Sequence, residues 1–79
     1  MDEFTATIEA LLDGMVSVRR TVVATERGLY VRVVEGRADE PEQEAAQREL
    51  QRLWDANPNA VWRIVTEYNR TAAVRGPHE

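Results

Sequence analysis

Apolar residues open the chain at helical spacing: Phe4, Ile8, Leu11, Leu12 and Met15 fall at i, i+4, i+7, i+8 and i+11, along one face of a helix. The spacing predicts a helix from Asp2 to Asp13. Asp2 is placed to cap it, Glu3 suits the positive end of its dipole, and Gly14 is placed to stop it in a left-handed conformation.

From Met15 to Glu35 the period shortens to two. Val16, Val18, Val22 and Ala24 alternate with Ser17, Arg19, Thr21 and Thr25, and Leu29, Val31 and Val33 alternate with Tyr30 and Arg32. This is the pattern of an antiparallel β-hairpin that turns at Glu26-Arg27-Gly28. A three-residue loop would set Thr25 opposite Leu29 and Arg19 opposite Glu35. A four-residue loop would pair Val22 with Val33, Ala24 with Val31 and Arg20 with Glu35. The second register matches the apolar pattern better, and a one-residue slip would turn the wrong face to the core. Val23, Tyr30 and Val34 then lie on the outer face, more apolar surface than a solvated sheet needs.

The helical period returns after Gly36-Arg37-Ala38. Asp39 with Glu42 three residues later makes an acidic capping box, and Pro41 is tolerated in a first turn. Ala46, Leu50, Leu53 and Trp54 form a stripe through to about Ala56, with Glu44 and Arg48 as an i, i+4 pair on the wet side. The last segment begins at Asn57-Pro58-Asn59 and fits two patterns. Val61, Ile64, Val65, Tyr68 and Ala72 follow a helical stripe. Trp62, Ile64, Thr66 and Tyr68 against Val61, Arg63, Val65 and Glu67 follow a strand that would join the sheet. Pro58 as a first helical residue and the Ala72-Ala73 extension favour the helix. The expectation is a two-layer α+β domain over residues 1–75, helix, hairpin, helix, helix, with a frayed tail at 76–79.

Composition limits the chemistry. The chain has 79 residues, 24 of them bulky and apolar, so a single core layer is all it can bury and self-association into a homodimer would supplement it. Cysteine is absent, which excludes disulfides, thiolate nucleophiles and cysteine-bound metals. Met1-Asp2-Glu3 is acidic where a secretory leader is basic, and no apolar run is long enough to span a bilayer, so a cytoplasmic protein with no membrane contact is expected. All ten basic residues are Arg, the usage of a GC-rich genome, and the net charge of −4 disfavours broad binding to phosphate backbones.

The reactive inventory is sparse. His78 follows Pro77 in the tail, where nothing holds it. Ser17 lacks a nucleophile elbow and a base. Glycines 14, 28, 36 and 76 are too dispersed to build a phosphate loop. The carboxylate cluster Asp39, Glu40, Glu42 and Glu44 is explained by helix capping, and its exception is an acidic patch offered to a basic partner. Trp54 lies on the core stripe, whereas Tyr30, Val34 and Trp62 are residue types that dominate protein interfaces when exposed.

No catalytic, cofactor or metal residue is therefore assigned. The reading is a non-enzymatic interaction module, an adaptor, regulator or inhibitor of the kind phages and mobile elements encode, which binds through Tyr30, Val34, Trp62, Arg63, Glu40 and Glu44. The alternative is an accessory nucleic-acid binder that uses the last two helices as a helix-turn-helix-like element with Arg63, Arg70 and Arg75 toward a groove. Arg19, Arg20 and Arg32 on the hairpin read as edge protection and cross-strand charge pairs.

Overall fold

A computed structural model describes residues 2–17, 20–33 and 41–75. The order is α1 (Glu3–Ser17), β1 (Arg20–Thr25), β2 (Gly28–Val33), α2 (Pro41–Ala56) and α3 (Pro58–Arg75). This is the expected α+β domain, helix, antiparallel hairpin and two helices. Val34, Glu35, Asp39, Glu40 and the tail at 76–79 lie outside the described residues.

Helix α1 starts where the sequence places it. The Thr5 N–H donates to Asp2 Oδ1 at 2.7 Å, and the Ala6 N–H donates to the Asp2 carbonyl at 3.1 Å, so Asp2 is the cap. Gly14 does not stop the helix, which runs on through Met15 and Val16 to Ser17. Glycine inside a helix costs about 1 kcal/mol relative to alanine, but continuing the helix buries Met15 completely. Packing outweighs propensity, and the Ser17 hydroxyl closes the last turn by donating to the Gly14 carbonyl at 2.8 Å. Val16 is thereby left 53% exposed on the helix rather than in a strand.

The hairpin corrects both expected registers. Arg20 pairs with Val33, Val22 with Val31, Ala24 with Leu29 and Thr25 with Gly28, so the loop is the two residues Glu26 and Arg27. The preferred four-residue loop was two positions out of step, which preserves the faces: Val22, Ala24, Leu29 and Val31 still share the inner side. Local chemistry selects the shorter loop. Thr25 Oγ1 accepts the Arg27 N–H at 3.1 Å, and Gly28 adopts a φ of 134°, a conformation natural to glycine.

Helix α3 decides between the two readings of the last segment in favour of the helix. Asn57 alone separates it from α2: its N–H donates to the carbonyls of Leu53 and Trp54, while its own carbonyl accepts the Val61 N–H at 3.2 Å. One residue ends one helix and begins the next, with Pro58 in the first position, where its missing N–H costs nothing.

The core is Ile8, Leu12 and Met15 of α1, Val22 of β1, Leu50 of α2, and Val61 and Val65 of α3. Around it pack Phe4, Leu11, Leu29, Val31, Leu53, Trp54, Ile64 and Tyr68, among others. Helices α1 and α3 lie against β1, and α2 lies against β2. Burying a Leu or Ile side chain contributes about 2 kcal/mol, and with so few fully buried residues each one matters.

Candidate functional site

The two strands carry different surroundings. On the side of β1, the Asn69 side chain of α3 donates to the Val22 carbonyl at 3.0 Å. Antiparallel strands alternate between residues whose backbone groups face the partner strand and residues whose groups face outward. Thr25 and Gly28 close the two-residue loop as a hydrogen-bonded pair, so alternation makes Ala24 with Leu29, and Val22 with Val31, the outward pairs, and Asn69 bonds one of these outward carbonyls. A neighbouring helix thus satisfies part of the β1 edge. Beside β2 lies instead a groove of about 450 Å³ between the strand and α2, with Leu29, Tyr30 and Val31 on one wall and Glu44, Arg48, Gln51 and their neighbours on the other.

Tyr30 stands on the outer face as expected and is 51% exposed. It borders both this groove and a shallower depression of about 630 Å³ at the hairpin end, formed with Ala24, Thr25, Glu26, Arg27 and Trp62. Trp62 is half-buried and meets Trp54 with ring centroids 6.4 Å apart, tilted by 32°. Trp54 itself packs against the core as its place on the stripe implied. Tyr30 and Trp62, far apart in sequence, therefore share one surface.

The other partner-binding candidates are not gathered with them. Glu44 borders the β2 groove, and Arg63 borders a separate cleft of about 280 Å³ between α1 and α3, in the company of Asp2, Glu9 and Glu67. Val34 and Glu40 lie outside the described residues, and Arg75 is the last residue of α3. Arg70 forms an exposed ion pair with Glu67, its Nε donating to Oε1 at 3.1 Å. Arg52 forms the same kind of pair with Glu49, its Nη2 donating to Oε2 at 2.6 Å. These guanidinium hydrogen bonds hold the Glu49 and Glu67 carboxyls below their ordinary range, and the Thr5 N–H does the same for Asp2. The expected Glu44–Arg48 pair is not among the ion pairs of the described residues. Both side chains are exposed and turn to the groove.

Arg20 departs most from the sequence reading. The sequence reads it as edge protection or a cross-strand charge partner, yet it is 1% exposed, level with Ile8 and Leu50. The signal was present: Arg20 has the same parity on β1 as Val22 and Ala24, so the pleat that turns them inward turns it inward too. A long aliphatic stem lets arginine serve such a position.

Among the described residues no three His, Asp or Glu side chains are grouped to hold a metal ion, and no helix is long and apolar enough to cross a membrane. Comparison with family models, with curated proteins and with solved structures gives no match.

Proposed function

We propose that this protein is a non-enzymatic protein-binding module, a small adaptor, regulator or inhibitor that works by surface complementarity. The observation that carries the reading is Tyr30: a large aromatic ring, 51% exposed, at the shared rim of two depressions and next to Trp62. Tyr, Trp and Arg supply most of the binding energy in protein interfaces, and the hairpin-end depression presents Tyr30, Trp62 and Arg27 together. The net charge of −4 suits a basic protein surface better than a nucleic-acid backbone.

Three details favour this reading over the nucleic-acid alternative. A helix-turn-helix uses a turn of three or four residues, whereas Asn57 alone joins α2 to α3. Arg70 is engaged by Glu67, and Arg63 sits among acids. Phosphate recognition would have to displace those carboxylates first.

The test is retention of a stoichiometric protein from nuclease-treated lysate by the tagged chain. Tyr30→Ala should reduce that capture tenfold or more while leaving stability within about 0.5 kcal/mol, as for other exposed positions. Retention that disappears with nuclease would move nucleic acid to the front. A large loss of stability would place Tyr30 in the core.

A further inference from the structure

Strand β2 carries the less protected edge. Leu29 and Val31 direct their backbone N–H and C=O groups away from β1, and no third strand pairs with β2 among the described residues. Two strands alone make a marginal sheet, and an edge with outward-facing backbone groups is a template for another strand.

We propose that β2 pairs antiparallel with the β2 of a second copy of this chain, giving a four-stranded sheet across a two-fold axis at Val31. The register follows from the outward positions. Centring on Val31 lets residues 29, 31 and 33 all offer outward groups, Val31 to Val31 and Leu29 to the second copy's Val33. On the outer face it sets each Tyr30 opposite the other copy's Arg32, an aromatic ring against a guanidinium. A shift of two residues in one direction would oppose Arg32 to itself, and in the other direction would forfeit one of the three outward positions.

Charge on the opposite wall points to the same occupant. Glu44 and Arg48 lie one helical turn apart in the groove and do not pair with each other. A two-fold axis brings the same groove wall from each copy to the seam, so an acid and a base offered by one copy meet a base and an acid offered by the other. A surface carrying both signs in this order is complementary to itself. The dimer uses the β2 edge and shares Tyr30 with the partner surface proposed above, while Trp62 and Arg27 at the hairpin end stay outside it, so these two residues distinguish the surfaces.

Sedimentation equilibrium of the full chain, combined with backbone amide exchange, tests the pairing. The expected mass at high concentration is about twice the 9.0 kDa of the chain. The Leu29 and Val31 amides should exchange slowly where the dimer is populated and fast on dilution. N-methylation of the Val31 nitrogen removes a donor that the β1–β2 ladder does not use. It should preserve the circular dichroism spectrum and weaken association roughly 30-fold or more through two lost hydrogen bonds. Arg48→Glu should weaken it roughly tenfold, and adding Glu44→Arg should restore it. Arg27→Ala should lower partner capture without changing the dimer, so the two proposals fail separately. A chain that stays monomeric to about 1 mM, or a dimer indifferent to N-methylation, would overturn the pairing. Amides that stay slow in the dilute monomer would also overturn it, by assigning the edge to this same chain.

Discussion

The two strands of the hairpin are equal in length, six residues each, and have opposite fates. On β1, Arg20 and Val22 are almost fully buried, α1 and α3 pack against the strand, and Asn69 satisfies an outward carbonyl. On β2, Leu29 and Val31 are only half-buried, Tyr30 and Arg32 are exposed, and a groove follows the edge beside α2. A sheet edge is a hazard wherever its backbone groups are open. This protein covers one edge with helices and a side-chain amide, and borders the other with a groove. The fully buried positions of the hairpin lie on β1, and the dimer proposed above uses β2.

That division can be broken at three levels. The largest effect is expected from the core on which β1 rests. Ile8→Ala should cost about 3 kcal/mol, within the usual range for a buried aliphatic truncation, because Ile8 is 0% exposed. Urea denaturation should show the full loss, and a cost under about 1 kcal/mol would mean that β1 does not depend on this core.

A smaller effect should come from the covered edge itself. Asn69→Ala leaves the part-buried Val22 carbonyl without its donor and should cost about 1 kcal/mol. The matching truncation on the β2 wall, Gln51→Ala, removes only an exposed hydrogen bond to Asp55 and should change stability by less than about 0.5 kcal/mol. Equal losses at the two positions would remove the distinction between the edges.

The smallest effect is electrostatic and belongs to the exposed helix surfaces. The Asp2, Glu49 and Glu67 carboxyls titrate lower in the folded chain than when unfolded. Their contribution is therefore fully present above the ordinary carboxylate range near pH 4 and is lost as the pH falls through the depressed folded values. The double variant Glu49→Gln, Glu67→Gln should lose less stability than the wild type on acidification from about pH 6 to about pH 3 at low salt. Thermal melts followed by circular dichroism measure the difference. An identical acid response in the two proteins would show that these surface pairs contribute nothing.

The order of elements was legible because each rests on local rules. Asp2 as a cap, the 3.6-residue stripe of α1 and Pro58 at the head of α3 need no distant partner to be effective. The division of the hairpin into inner and outer faces was equally local, since the pleat alone sets it. Where α1 ends and how the strands align were less so. Gly14 carries a stop signal that the burial of Met15 overrides, and that burial exists only once β1, α2 and α3 have assembled. Registers that differ by two residues keep every face unchanged, so the pattern could not choose between them. The Thr25 hydroxyl and the positive φ of Gly28 did.

The candidate site divides the same way. Tyr30 and Trp62 were recognisable one by one from residue type and position, yet 32 positions separate them in the chain. Only the docking of α3 beside the hairpin turns them into one surface. Arg20 looked like an edge charge because charged residues are seldom buried, and its parity with Val22 decided otherwise. By itself the sequence determined the elements, the Asp2 cap of α1 and the two faces of the sheet, because these follow from spacing along a single chain. Tertiary structure decided which strand edge a helix would cover, how far α1 would run and which side chains would meet, because each depends on contacts between segments far apart in sequence.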